Sequence, residues 1–261
     1  MSNEPLFVHD GDLWVPAEKT RGPWDPGALH GGAPAALLTH VLSRHPAAQS
    51  LRLARLTCEL VRPVPLAPLA VQVAVVRPGR RVALLEASIT DPAGTVVTRA
   101  RALHLAVSEV GTETGQAPPF PGPEHGAEND FNAAADAPPM FATHALELRF
   151  VEGSFRAIGP ATAWFRLRGP VVDDAPVSGA ERISAAADFG NGIASELSWQ
   201  DHVFINPDLT VFYERDPIGE WVAVQARMFV APGAVALAES VLWDERGRIG
   251  RAVQTLLVGR R

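Results

Sequence analysis

Two side chains near the end of the sequence have the types needed to direct a water molecule at a carbonyl carbon. Asp208 lies in the stretch NPDLTVFYER and Gln254 lies in RAVQTLLV, each within or beside a largely apolar strand candidate. A carboxylate can take a proton from water, and a neutral amide can hold that water in place. Two other interpretations stay open. Asp208 follows Asn206-Pro207 and could cap a turn at the start of a strand, and Gln254 could face solvent.

A second group of interest, His30, Gly31 and Gly32, precedes an apolar helix candidate. The glycines could let two helices meet closely. They could also leave backbone N–H groups bare for a carbonyl oxygen at a helix N-terminus, where the helix dipole helps. His30 could act as a base, but the sequence shows no partner for it. Asp188, in AAADFGNG, lies on an otherwise apolar helix candidate, so its carboxylate faces either a pocket or solvent.

The sequence lacks the motifs of most other chemistries. Cys58 is the only cysteine, which excludes an internal disulfide and a cysteine zinc site, and its apolar surroundings predict a buried thiol. His40 and His45 are poorly spaced for a metal pair on a helix. The chain contains no GxSxG elbow, no GxGxxG after a strand and no Walker A sequence. We therefore predict neither a metal nor a cofactor.

Composition and charge narrow the class of protein further. The 261 residues are 47% hydrophobic and 20% charged, which is typical of a globular chain with a sizeable core. The net charge of −6 argues against a nucleic-acid binder. No apolar run approaches the roughly 20 residues that span a bilayer, and MSNEPLFVHD has no features of a secretory signal. We expect a cytoplasmic protein with no membrane span.

The chain contains an internal repeat. Residues 56–105 align without a gap to residues 209–258, at a constant offset of 153, and thirteen positions are identical. The stretches DPAG and DERG, which begin at Asp91 and Asp244, occupy the same place in the two copies and predict hairpin turns. Two similar units therefore account for most of the chain.

Each unit combines one helix with an antiparallel sheet. Apolar spacing predicts helices over residues 33–45 and about 179–194, the second with Ser178 as N-cap. The order β–α–β–β–β occurs twice, so we predict an α+β fold. The predicted boundaries are residues 1–107 for the N-terminal unit, 108–140 for a Pro- and Gly-rich linker, and 141–261 for the C-terminal unit.

The stretches PWDPGALHGGAPAALL, NPDLTVFYERDPIGEW and ESVLWDERGRIGRAVQTLLV, in this order, resemble the double hotdog acyl-CoA thioesterase-like proteins, whose best-known branch is bacterial acyl-CoA thioesterase II. The resemblance covers most of the chain apart from the linker. It implies a double hotdog fold, a fatty or related acyl-CoA as substrate, hydrolysis without a cofactor, and a homodimer or higher homo-oligomer.

The resemblance also implies a site made of an Asp, a Ser or Thr hydroxyl and a Gln around a water molecule. Asp208 and Gln254 match two of these groups, and amides near Gly31-Gly32 or at the start of the second helix would stabilise the oxyanion. The hydroxyl is expected within residues 225–231, which contain Met228 and Phe229 but no Ser or Thr. Two alternatives remain: a non-catalytic acyl or acyl-CoA binding protein, and an enzyme that releases acyl groups from a carrier protein.

Overall fold

The computed structural model describes residues 4–108, 120–128, 138–233 and 235–261. These residues form one antiparallel sheet of fourteen strands and three α-helices. None of the described helices is long and apolar enough to span a bilayer.

The elements of the first half are β1 (Phe7–Asp10), β2 (Leu13–Pro16), α1 (Gly32–Arg44), β3 (Arg52–Leu60), β4 (Leu69–Arg77), β5 (Val82–Thr90) and β6 (Val96–Leu105). A two-residue strand β7 (Ala127–Glu128) follows. The second half contains β8 (Leu146–Glu152), β9 (Ala161–Leu167), α2 (Gly179–Ala187), α3 (Gly190–Ile193), β10 (His202–Ile205), β11 (Asp208–Tyr213), β12 (Val222–Ala231), β13 (Val235–Asp244) and β14 (Gly247–Arg260). Short 3-10 turns at Glu18–Thr20, Pro46–Ala48 and Pro123–His125 and a π-helical turn at Phe141–Ala145 complete the described chain.

The strand order of the second half mirrors that of the first. Neighbouring strands run β1–β2–β4–β5–β6–β3 and then β11–β14–β13–β12–β9–β8–β7, while β10 pairs with β14 beside this path. The halves join where β3 and β11 pair. Thr57 there pairs with Thr210, its counterpart at the repeat offset, and the two hydroxyl oxygens are 3.3 Å apart. Because a residue pairs with its own counterpart, an approximate twofold axis passes between these two threonines.

The core lies between the sheet and the helices. Strand β5 alternates buried and partly buried side chains, as expected of a strand with one face on the core. Helix α1 is buried over most of its surface, with Leu37, Leu38 and Leu42 inaccessible to solvent, because it packs against both the sheet and α2. This packing brings the start of α1 to the end of α2.

Polar side chains occupy part of the interface between the two helices. The hydroxyl of Ser184 on α2 is 2.6 Å from that of Thr39 on α1 and 2.6 Å from that of Tyr213 on β11. One turn earlier on α2, the buried carboxylate of Glu181 contacts the ring of His40 at 3.0 Å and accepts a hydrogen bond from Arg44. These contacts satisfy buried polar groups and tie the two halves together.

The structure confirms several local predictions. The predicted hairpin turns are present, with Gly94 and Gly247 at positive φ. Helix α1 spans Gly32–Arg44, one residue from its predicted bounds. Ser178 caps α2: its hydroxyl accepts the N–H of Glu181, while the carboxylate of Glu181 accepts the N–H of Ser178.

Other predictions need correction. The single strand predicted ahead of the first helix is instead the hairpin β1–β2, because Gly11 turns the chain at a φ of 62°. The second helix, predicted over about 179–194, breaks at Asp188 and resumes at Gly190. Much of the predicted linker, residues 109–119 and 129–137, lies outside the described residues. Within the described residues 120–128, the ring of Phe120 stacks on that of Trp243 at 4.5 Å, so Phe120 packs against the second half.

Candidate active site

The break between α2 and α3 places one carboxylate inside the molecule. Helix α2 ends at Ala187, and Asp188 follows as its C-terminal cap with a side chain that is only 4% exposed. A buried carboxylate must find hydrogen-bond donors or become neutral. The surroundings of Asp188 supply both amide donors and a group with which it can share a proton.

Two side-chain amides contact the same carboxylate oxygen. Oδ1 of Asp188 accepts hydrogen bonds from Nδ2 of Asn206 at 2.8 Å and from Nε2 of Gln254 at 3.0 Å. Gln254 is itself held in place, because its Oε1 accepts the N–H of Asn191 at 3.1 Å. Gly190 leaves room for this amide, since a Cβ at that position would lie 2.9 Å from Oε1 of Gln254. The cluster therefore has a defined geometry.

The other carboxylate oxygen faces a histidine from the first half. Oδ2 of Asp188 is 3.1 Å from Nδ1 of His30, whose ring stacks on those of Phe141 and Phe189 at centroid distances of 5.0 and 4.4 Å. Two atoms that both present lone pairs repel at this distance unless a proton lies between them. A neutral carboxyl can donate from Oδ2 to Nδ1 of His30, and an ionised carboxylate can accept from the Nδ1–H tautomer.

Burial shifts the pKa values of both members of this pair. Desolvation raises the pKa of Asp188 to about 7, although hydrogen bonds from Asn206, Gly32 and Gln254 act in the opposite direction. Desolvation also lowers the pKa of His30 to about 3, so its imidazole is neutral at physiological pH. A carboxyl group whose pKa is near 7 is suited to exchange protons under those conditions.

Gly31 and Gly32 are required by the close approach of α1 to this carboxylate. A Cβ on Gly31 would lie 2.7 Å from Oδ2 of Asp188, and a Cβ on Gly32 would lie 2.5 Å from the carbonyl oxygen of Ala185. The N–H of Gly32 is 3.1 Å from Nδ1 of His30. Within the described chain, the N–H of Gly31 has no hydrogen-bond acceptor. The start of α1 thus has a backbone N–H group without an acceptor close to Asp188.

A cavity of about 400 Å³ that opens to solvent is lined by His30, Gly31, Asp188 and Asn206, whereas Gln254 is buried and does not reach its wall. Its wall is mostly apolar and includes Trp24 and Trp199, whose rings stack 4.6 Å apart. A smaller cavity of about 50 Å³ lies beyond His30 and Trp199, which line both spaces. The lining includes polar or charged residues, apolar side chains and a glycine of the α1 start: His30, Arg62, Asp188, Asn191 and Asn206; Trp24, Val61, Trp199, Ile205 and Leu257; and Gly31. An apolar wall around a few convergent polar groups is typical of a small-molecule site.

The sequence prediction that Asp208 and Gln254 share a site needs correction. Gln254 is buried beside Asp188, so the interpretation of it as a solvent-facing residue is wrong. Asp208 does not line the cavity: its Oδ1 accepts the N–H of Thr255 at 2.7 Å in an exposed part of the sheet. The Asp208 side chain therefore links the start of β11 to the neighbouring strand β14. The carboxylate that meets Gln254 is that of Asp188.

The third polar group at the carboxylate is an amide rather than a hydroxyl. Asn206 lies two residues before Asp208, in the same NPD stretch, and no pattern in the sequence marks it as a site residue. Its amide also donates to the carbonyl oxygen of Asp208 at 3.2 Å, which orients it. Met228, at the place where a hydroxyl was expected, is a buried core residue whose sulfur is 4.0 Å from Oγ of Ser195.

Solved structures share this fold along nearly the whole chain. A protein from Novosphingobium aromaticivorans assigned to the thioesterases has 20% identity and a TM-score of 0.73, covering 97% of this chain and 98% of its own. A hot dog fold protein of unknown function from Alicyclobacillus acidocaldarius has 20% identity and a TM-score of 0.72, covering 98% and 95%. The acyl-CoA thioesterase II TesB2 of Mycobacterium marinum has 16% identity and a TM-score of 0.62, covering 90% and 92%. The fold is therefore a hotdog fold.

The family follows from matches to the sequence itself. Residues 20–105 match the acyl-CoA thioesterase N-terminal domain, and residues 115–258 match the acyl-CoA thioesterase C-terminal domain. No curated protein gave a significant match. Because the two matches cover most of the chain, it belongs to the acyl-CoA thioesterase family.

Proposed function

We propose that this protein hydrolyses the thioester of a fatty or related acyl-CoA, with Asp188 as the general base. The observation that carries the proposal is the buried carboxyl of Asp188, which is held by two amides and a neutral imidazole at the wall of an apolar cavity. In this proposal the molecule is a double hotdog that works in the cytoplasm as a homo-oligomer. Its units span residues 1–107 and 141–261, and residues 108–140 connect them.

The reaction assigns a role to each group around the carboxylate. Asp188 takes a proton from water as the water oxygen attacks the thioester carbon. Gln254 and Asn206 orient the carboxylate, and Asn206, which also lines the cavity, orients the water. The oxyanion that forms is stabilised by the N–H of Gly31 at the positive end of α1. The C–S bond then breaks, and the leaving thiolate takes the proton from Asp188. The products are a free thiol and a carboxylic acid, and Asp208 has no role in these steps.

Thiol release from acyl-CoAs of increasing chain length tests this function. We expect Asp188→Asn to lower kcat/KM by about 100- to 1000-fold, because a general base contributes on that order. Asp208→Asn is the matched control, since it makes the same chemical change outside the cavity, and we expect its activity to stay within about twofold. Equal effects of the two variants would contradict the assignment of the base.

The same experiment separates the two alternative functions from the proposal. Tight binding of acyl-CoA without thiol release by the wild-type protein would indicate a non-catalytic binding protein. Thiol release from an acylated carrier protein at a much higher kcat/KM than from any acyl-CoA would indicate a carrier-protein thioesterase.

A further inference from the structure

The repeat allows each half to be compared with the other at the end of its junction strand. In the second half, β11 is followed by Glu214 and Arg215, and both side chains are paired. The Arg215 guanidinium makes two contacts with the carboxylate of Asp244, at 2.5 and 2.6 Å, and Glu214 accepts a hydrogen bond from Arg248. Here the arginine is a structural residue that ties two turns together.

The first half has the same arginine without the same partner. Arg62 is the counterpart of Arg215 at the repeat offset, and Asp91 is the counterpart of Asp244. Oδ1 of Asp91 instead accepts the N–H groups of its own turn, from Ala93 at 2.9 Å and Thr95 at 2.8 Å. Among the described residues, the Arg62 side chain has no hydrogen bond or salt bridge.

Arg62 lies where a ligand would pass. It is exposed and lines the cavity that holds Asp188. Three apolar residues of the same wall are also exposed: Val61 by 51%, Ile205 by 42% and Leu257 by 65%. Asp25 also lines this cavity, but its Oδ1 accepts the N–H of Gly27 at 2.8 Å. The outer part of the cavity therefore combines an apolar rim with one unpaired cation.

We propose that Arg62 binds the phosphate at the end of the pantetheine arm of the thioester substrate. This inference rests on the proposed function, because it assumes that the thiol half of the substrate leaves the cavity past the apolar rim. In this assignment the acyl group lies inward of Asp188, and an anion at the exposed rim belongs to the leaving arm. A guanidinium without a protein partner is well suited to a phosphate, with which it forms charge-assisted hydrogen bonds.

Three thioesters of one acyl group test the assignment. Acyl-CoA and acyl-phosphopantetheine carry the phosphate, and the N-acetylcysteamine thioester lacks it. For Arg62→Ala we expect KM to rise about tenfold with the first two and to stay unchanged with the third, with kcat unchanged throughout. Arg62→Lys should retain part of the effect, because a lysine keeps the charge but not the planar donor pair. The KM difference between wild type and Arg62→Ala should shrink at high salt.

Arg81→Ala is the control, because Arg81 is an exposed arginine of the first half that does not line the cavity. We expect it to leave all three KM values unchanged. The proposal is overturned if Arg62→Ala raises KM equally for the phosphate-free thioester, if it changes no KM, or if acyl-CoA responds and acyl-phosphopantetheine does not. If Arg62→Ala loses the same factor in kcat/KM with acyl-CoA and with an acylated carrier protein, the site binds the phosphate that both substrates carry. The substrate with the higher wild-type kcat/KM is then the source of that phosphate.

Failure of the proposed function is distinguishable from failure of this inference. If the wild-type protein releases thiol from none of the thioesters, hydrolysis is wrong, and Arg62 is tested by calorimetric binding of CoA alone. A roughly tenfold weaker Kd in Arg62→Ala, with no change in Arg81→Ala, supports the phosphate site without any turnover. An unchanged Kd overturns it.

Discussion

In the first half of the molecule, helix α1 runs unbroken from Gly32 to Arg44, whereas in the second half the helix stops at Asp188 after nine residues and resumes at Gly190. The two halves therefore contribute differently to the cavity between them. The second half supplies the carboxylate and both side-chain amides, and the first half supplies the N-terminus of a helix and one histidine. The comparison shows how a repeat can keep its strand order while only one copy carries the buried carboxyl group at the cavity.

The position of Gln254 shows the same difference on the sheet. In the sheet its counterpart is Ala102, because Gln254 pairs with Ala238 and Ala102 pairs with Leu85, the residue that corresponds to Ala238 at the repeat offset. Both positions are buried, but only Gln254 contacts Asp188. A strand position that holds a small apolar side chain in one copy thus holds a donor to the buried carboxylate in the other.

Two leucine substitutions sharpen the comparison, one at Gln254 and one at Arg101, an exposed residue of β6 that is paired with Glu86 at 2.9 Å. We expect Gln254→Leu to lower kcat/KM for thiol release by about 100-fold, because it removes a donor to Asp188 and leaves the N–H of Asn191 without its acceptor. Arg101→Leu removes only an exposed ion pair, so activity should stay within about twofold. Similar losses in both variants would show that the two halves do not differ in the way proposed here.

The contact between the two helices is tested by adding one methyl group. Gly32→Ala places a Cβ 2.5 Å from the carbonyl oxygen of Ala185, so the helix start must move. We expect it to lower the free energy of unfolding by about 1–3 kcal/mol, which denaturant titration measures. In Gly27→Ala the nearest atom is 3.4 Å away, so the change should stay below about 0.5 kcal/mol. Equal stabilities of the two variants would argue against the close helix contact.

The hydroxyl contacts between the helices and β11 give the smallest expected effect. Tyr213→Phe removes one hydrogen bond to Ser184, which retains contacts with Thr39 and the carbonyl oxygen of Ala180. We expect a loss of about 1 kcal/mol in the free energy of unfolding. A double-mutant cycle with Ser184→Ala should give a coupling energy of at least about 0.5 kcal/mol, and additive losses would show that the two hydroxyls do not interact.

The sequence was most informative where physical signals are local or repeated. The gap-free repeat predicted two similar units, the DPAG and DERG stretches predicted the turns, and Ser178 predicted the start of α2. It was least informative about which way a polar side chain points in the folded protein. An Asp at the end of a helix and an Asp at the start of a strand look alike in a sequence, and only the fold shows that Asp188 lines the cavity while Asp208 bonds the neighbouring strand.

The same limit explains why Asn206 was missed. Its role depends on a contact with Asp188, which is eighteen residues away and on a different element. Neither periodicity nor spacing encodes that approach. The close packing at Gly31 and Gly32 was one of two interpretations that the sequence left open, and the space around each glycine shows that the packing is real.

The ionisation of Asp188 also predicts how stability depends on pH. A carboxyl whose folded pKa is raised to about 7 stabilises the fold below its unfolded pKa, and this contribution is lost as the pH rises through about 7. His30 has the opposite effect. Because its pKa is lowered in the folded protein, its contribution to the free energy of unfolding is lost as the pH falls below about 6.5. Asp188→Asn removes the buried ionisable group, and its amide can replace the neutral carboxyl. We expect it to be more stable than the wild type at pH 8, by about 2 kcal/mol, in denaturant titrations.

The pH dependence of thiol release tests the central claim most directly, namely that the buried carboxyl of Asp188 is the base. With acyl-CoA as substrate, kcat/KM should rise with pH and reach half of its plateau near pH 7, because the base works only when ionised. Asp208→Asn should keep this profile. A profile that is already at its plateau at pH 5, as for a carboxylate with an ordinary pKa, would contradict the account.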